Sequence, residues 1–211
     1  MRYRFFYILL IMIISFGLLA QTQMRLPTTF LVPIKEELKP FYAPSEGQSE
    51  DLLNGVVISV SKVHTPKPKN QQLMLFTSGM HPRNCTRAMR KLSLYEDYPT
   101  HINFIKESKY NETTQRISMT IDHALLPFPM VVGFKIPRIT KAGHYPFIFE
   151  EGFLKALKGT VIVQEVGKFC LLGMKVDWMG PETKVPNIVF EPFLQTAGKI
   201  GLEHLIRMSQ F

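Results

Sequence analysis

Apolar and polar residues alternate with a period of two over several stretches of this chain, the pattern of strands with one buried face. Val56, Ile58 and Val60 form an apolar face against Val57, Ser59 and Ser61. After the turn-rich run from His64 to Asn70, the stretch Gln71 to Ser78 is placed to pair back as a hairpin. Ile102, Phe104 and Lys106 against Asn103, Ile105 and Glu107 make a weaker alternation. Ile117, Met119 and Ile121 alternate cleanly with Arg116, Ser118, Thr120 and Asp122, and Met130, Val132, Phe134 and Ile136 form another apolar face. Val161 and Val163 sit in a strand that ends at Glu165-Val166-Gly167, and Cys170, Leu172, Met174, Val176 and Trp178 line one face of the next.

Helical periodicity is confined to two places. Asn84 to Leu94 opens on an Asn able to cap a helix and ends before Tyr95-Glu96-Asp97-Tyr98-Pro99. Near the C-terminus, Phe190, Phe193, Leu194, Ala197, Gly201, Leu205 and Met208 recur at spacings of three and four, one apolar stripe. Pro192 is the first helical residue if that helix starts near Glu191, or marks a bend if it starts near Pro186. Many antiparallel strands and one long terminal helix predict an α+β fold: a curved antiparallel sheet of about six to seven strands wrapped around the C-terminal helix.

The N-terminal end follows another logic. Arg2 and Arg4 precede an almost unbroken apolar run from Phe5 to Ala20, and the chain turns polar at Gln21-Thr22-Gln23. A basic start, an apolar run and a polar exit make residues 1–20 a signal peptide, or a signal anchor if they are not cleaved. The chain is thus expected to be exported, to a bacterial periplasm, either soluble or tethered to the inner membrane by residues 5–20. Residues 21–50 hold Pro27, Pro33, Pro40 and Pro44 without sustained periodicity and read as a Pro-rich tether or strap. Residues 51–211 remain as one domain.

Composition narrows the function. The chain has 211 residues, 45% of them hydrophobic, which excludes a disordered polymer. Two cysteines exclude a disulfide-built scaffold and a multi-cysteine zinc module. The formal charge of +8 falls to +6 without Arg2 and Arg4. The surplus gathers at Lys62, Lys67 and Lys69 and at Arg83, Arg87, Arg90 and Lys91, not in one stripe. On an exported protein such faces suit contact with anionic headgroups, with a merely solvated surface as the alternative. Gly198-Lys199-Ile200-Gly201 mimics the GXXG loop of KH RNA-binding domains, but it lies within the helical stripe, and export argues against a nucleic-acid partner. No GxSxG, HExxH, GxGxxG or Walker pattern occurs, so neither a cofactor nor a metal is expected.

The order short helix, strands, long C-terminal helix resembles the START-like (SRPBCC, helix-grip) superfamily, nearest its polyketide-cyclase and coenzyme-Q-binding branches. Two segments carry the likeness. The stretch from Leu92 to Ser108, with Tyr98-Pro99 between helix and strand, is similar to the family's entry into the sheet. Asp177 to Pro186 resembles the passage from the last strand into the gripping helix. The resemblance covers residues 55 to 210 and implies a cavity between sheet and helix, walled by the apolar strand faces.

Within such a cavity the expected ligand-binding residues are His123, Phe134, Arg138, Tyr145, Met174 and Trp178. His123, Arg138 and Trp178 each extend an apolar strand face, and a polar group there can orient a ligand in a mostly apolar pocket. Tyr145 belongs to the loop-like group Gly143-His144-Tyr145-Pro146. No catalytic residue stands out. In an oxidising compartment Cys85 and Cys170 could form a disulfide, two separate buried thiols being the alternative. The expected function is binding of a hydrophobic ligand, such as a lipid or isoprenoid-like molecule, without turnover. The alternatives are a cyclase or hydrolase in the same cavity, with His123, Arg138 or Tyr145 handling protons, and an envelope interaction protein whose core is filled by Phe and Met.

Overall fold

A computed structural model describes residues 50–210, other than 53, 68, 124–128, 153 and 184. The expected signal segment 1–20 and the strap up to residue 49 lie outside the described residues. The strands are β1 (Ile58–Lys67), β2 (Asn70–His81), β3 (Ile105–Asn111), β4 (Arg116–Ile121), β5 (Met130–Lys135), β6 (Gly143–Glu151), β7 (Lys158–Val166) and β8 (Phe169–Pro181). The helices are α1 (Cys85–Leu92), α2 (Tyr98–His101) and α3 (Asn187–Met208). The eight strands form one antiparallel sheet in the order β1-β2-β8-β7-β6-β5-β4-β3. After the β1–β2 hairpin, α1 and α2 carry the chain to the far edge, and a meander from β3 returns β8 to the side of β2.

The sheet has eight strands, slightly more than the six to seven expected, and Gly143-His144-Tyr145-Pro146 begins β6 instead of forming a turn ahead of a strand at Phe147 to Phe149. Pro146 is tolerated there: β6 meets β5 only at Ile148, Phe149 and Glu151, so the missing amide of Pro146 interrupts no ladder on that side. Ile102 and Phe104 fall outside any strand, since α2 runs to His101 and β3 begins at Ile105.

Beyond Ile58, which is buried, the first strand inverts its apolar alternation. Val57, Ser59, Ser61 and Val63 are buried, whereas Val60 is 45% exposed. Hydrogen bonds explain the reversal. Ser61 Oγ donates to the Glu191 carbonyl (2.7 Å), the Val63 amide to the Glu191 carboxylate (2.8 Å), and Ser59 Oγ bonds Thr77 Oγ1 (2.9 Å). Small hydroxyls, each satisfied, thus seat α3 against β1, where larger apolar chains would hold it away.

Helix α3 starts after Pro186 and carries Pro192 inside it, the second of the two expected starts. Its C-terminal half approaches the sheet at glycine. A Cβ on Gly198 would lie 2.7 Å from Thr77 Oγ1 and 2.9 Å from Ser59 Oγ. On α1, Asn84 caps as expected, accepting from the Arg87 amide at 3.0 Å. Cys85 and Cys170 form the disulfide, joining α1 to β8. At this end of the sheet both faces of β8 are buried, which is why Phe169 to Gly173 is continuously apolar. Among the described residues no helix is long and apolar enough to cross a membrane.

Candidate functional site

Between the sheet and α3 lies a cavity of about 390 Å3. Four parts of the wall meet around it. The sheet floor comes from Leu73, Leu75, Ile117 and Met119, continued by Val163, Leu172, Met174 and Val176. Phe134, Phe147 and Phe149 form an aromatic cluster at one side, with Phe134 and Phe149 stacked at 5.1 Å. The helix side is Leu194, Ala197, Gly198, Gly201, Leu202 and Leu205, and Met89, Leu92, Tyr95 and Tyr98 close the end toward α1. The half-exposed members, among them Phe149, Leu154 and Met174 across from the exposed Ala197, mark where the cavity opens beside the helix.

The wall's polar side-chain groups are few and already used. Tyr95 Oη donates to the Pro137 carbonyl and accepts from the Ile139 amide, both at 3.1 Å. Tyr98 Oη donates to the Leu92 carbonyl at 2.7 Å. Thr77 Oγ1 is paired with Ser59. Burial pushes both phenols well above the ordinary tyrosine range, so both stay protonated. The described lining residues include no histidine, cysteine, acid or base. Chemically the wall offers apolar area, three phenylalanine rings and no free donor, which suits a hydrocarbon and leaves a polar ligand without partners.

The expected ligand residues divide. Phe134 and Met174 line the cavity. His123, Arg138, Tyr145 and Trp178 do not, and each has a visible reason. Arg138, beyond the end of β5, is drawn outward by carboxylates: Nε donates to Glu112 (2.6 Å), Nη2 to Glu96 (3.0 Å) and Nη1 to the Ser93 carbonyl (2.5 Å). Its guanidinium also lies 4.5 Å from the centre of the Tyr110 ring. The hydrogen bond from Arg138 holds the Glu96 carboxyl below its usual range. Arg138 therefore clasps the β3–β4 turn to the segment after α1. Trp178 is buried in the core with its indole N–H on the Lys155 carbonyl at 3.0 Å, pinning the β6–β7 loop that carries Leu154 and Leu157 into the wall. Tyr145 donates to the Lys141 carbonyl at 2.7 Å. His123 stands edge-on to Phe104, which also meets His204 edge-on.

The residues expected from the sequence do not include the helix side of the cavity. The signal was present: Leu194, Ala197, Gly201 and Leu205 belong to the apolar stripe of α3. Tyr95 and Tyr98 sit in the segment that carries the family likeness. Three- and four-residue spacing cannot separate a helix face packed on a sheet from one standing over a void.

No family model matches the chain, and no curated protein matches it in sequence. Solved structures do match in fold. The Zhui aromatase/cyclase from a Streptomyces species aligns at 8% identity over 66% of this chain and 94% of its own, with a TM-score of 0.55. TTHA0849 from Thermus thermophilus aligns at 11% identity over 64% of this chain and 93% of its own, TM-score 0.52. The di-domain aromatase/cyclase StfQ of steffimycin biosynthesis aligns at 8% identity over 74% of this chain and 51% of its own, TM-score 0.50. The fold is thus similar to that of the polyketide aromatase/cyclases, an antiparallel sheet set against a long C-terminal helix. At such identities the likeness concerns the fold.

Proposed function

We propose that this chain is an exported binding protein that holds one hydrophobic tail, of a lipid or isoprenoid-like molecule, in the cavity beneath α3 without chemical turnover. The observation that carries the reading is an open cavity whose described polar side chains are all bonded to the protein. Its volume of about 390 Å3 lies at the small end of the roughly 300–1,000 Å3 of small-molecule pockets. That size favours a single acyl or prenyl tail over a whole two-chain lipid. Burying a ten-carbon tail contributes roughly 8 kcal/mol at about 0.8 kcal/mol per methylene, before the cost of ordering it. Export rests on the basic, apolar and polar order of residues 1–23.

The likeness to aromatase/cyclases favours a second reading, a cyclase using the same cavity. It would need a proton-transferring group at the wall, and the described wall supplies only two phenols, both bonded and held protonated. Binding is therefore preferred.

Native mass spectrometry and organic extraction of the full chain, purified from cells that export it, test the proposal. The expected result is a co-purified hydrophobic molecule that Gly201→Phe, which fills open cavity space, reduces severalfold. Recovery of nothing, together with no uptake of a fluorescent long-chain fatty acid by the emptied protein, sinks the binding reading. Conversion of an extracted molecule to a new product on incubation would favour the cyclase.

A further inference from the structure

The face of the sheet turned away from the cavity is buried at one end, although none of the described helices lies over it. The strand register identifies that end: Ile58 pairs with Ser78, Ser78 with Gly173 and Gly173 with Ile162, while Met80 pairs with Leu171. Their chain neighbours Thr77, Leu172, Val161 and Val163 line the cavity, so these residues point the other way. Ser78 and Leu171 are nonetheless wholly buried, Met80 is 4% exposed, and Ile58 and Ile162 are 8% exposed. Further along the same strands, the outward positions Val60, Lys62, Met74, Lys158, Lys175 and Asp177 are all exposed, as an uncovered face should be.

Some part of the chain therefore covers the end around Leu171. The three helices are on the other face, where Met89 of α1, Tyr98 of α2 and Leu194 of α3 line the cavity. Leu52, in the helical turn before β1, is one side chain against a patch four strands wide, about 14 Å. Positions 68, 124–128, 153 and 184 adjoin Asn70, Met130, Glu151 and Pro181, at the opposite end of the sheet. The segment running into Glu50 enters at the buried end, just ahead of Ile58.

That segment has a composition suited to the patch. It holds Phe30, Leu31, Val32, Ile34, Phe41 and Tyr42, interrupted by Pro33 and Pro40. Prolines suit an extended chain laid across strands, which needs no hydrogen-bond ladder of its own. Phe41 is nine residues before Glu50, a reach of up to about 30 Å, twice the width of the patch. Gly173 provides a groove. A Cβ there would meet Ile162 and Ser78 only at 3.6 and 3.9 Å, so their side chains leave room between them across β8.

We propose that residues 30–42 pack across the outward face of β1, β2, β8 and β7 and form a second apolar layer over Ile58, Met80, Leu171 and Ile162. The sheet is then covered on both faces at this end, by helices on one and by the strap on the other. The proposal is independent of what the cavity holds. It leaves residues 21–29 as the free tether, with a reach of about 30 Å where all of 21–49 would reach about 100 Å. A leader retained in a membrane would accordingly keep the domain close to that surface.

Photo-crosslinking of the full chain, in cells that export it, tests the proposal. With Phe41, or separately Phe30, replaced by p-benzoylphenylalanine, irradiation should join the strap to the outward patch within one chain. Peptide mapping by mass spectrometry should place the bond on the segments carrying Ile58, Met80, Ile162 or Leu171. A bond to lipid, to another protein or to a second copy, the last seen as a species of twice the mass, overturns the proposal. A bond to α3 overturns it as well and would put the segment on the cavity face. So does the absence of any internal bond from both positions.

Discussion

Gly198 and Gly201 share one helix and one short motif, yet the fold assigns them opposite roles. In both, alanine should favour the helix by about 0.5–1 kcal/mol. At Gly201 a Cβ meets nothing within 4 Å, so Gly201→Ala keeps that gain. For a domain of this size it corresponds to roughly 1–4 °C in Tm. At Gly198 the added Cβ falls 2.7 and 2.9 Å from the Thr77 and Ser59 oxygens, where ordinary contact begins at 3.4 Å. Neither oxygen can retreat, since Thr77 is fully buried, Ser59 nearly so, and the two are bonded to each other. Overpacking of this kind costs about 1–3 kcal/mol. Gly198→Ala should therefore melt roughly 2–12 °C below Gly201→Ala in a thermal scan by circular dichroism. Helix propensity cancels in that difference, leaving the contact with β1 and β2. In a Ser59→Ala/Thr77→Ala background the difference should nearly vanish, because removing both partners of a buried pair is close to neutral by itself. Equal shifts for the two alanines, or a gap that survives in that background, would refute the close approach of α3 described above.

Other consequences follow from the same contacts. Reduction of Cys85–Cys170, which spans 85 residues, should lower stability by about 4–5 kcal/mol in the chain-entropy model; an unchanged Tm in reductant, with two thiols titrating, would contradict it. His81 is fully buried beside Cys170, and burial lowers its pKa from the ordinary 6.5, so the unfolded chain takes up the proton more readily. Stability should be complete above about pH 6.5 and fall as the pH drops below it. His204, also lowered by burial, adds to this slope. His81→Gln should flatten part of the slope in urea titrations, and an unchanged profile would rule His81 out as its source. Arg138→Met should lower Tm by a few degrees through lost clasp contacts yet leave uptake of a fluorescent fatty acid unchanged, whereas Met174→Lys should abolish uptake. The reverse pattern would return Arg138 to the site.

Much of the fold was legible in the residues. The alternations of β4, β5 and β8, the Asn84 cap and the stripe of α3 each follow from a local period, and a local period survives folding when its neighbours agree with it. Where they do not, the reading turned. Ser59 and Ser61 look outward by polarity and are inward by hydrogen bonding to Thr77 and Glu191, partners 18 and 130 residues away. Arg138 extends an apolar face along the chain but follows Glu96 and Glu112 out of it.

By itself, then, the sequence determined the elements, the class of fold and the apolar character of the enclosed faces, since these depend on spacings within one segment. Tertiary structure alone decided that α3 rides close at Gly198 and stands off at Gly201, leaving a cavity between helix and sheet. It decided too that Phe134 and Met174 face that cavity while His123, Arg138, Tyr145 and Trp178 serve the frame around it. A void is a property of the distance between surfaces, and no periodicity along one chain segment encodes a distance to another.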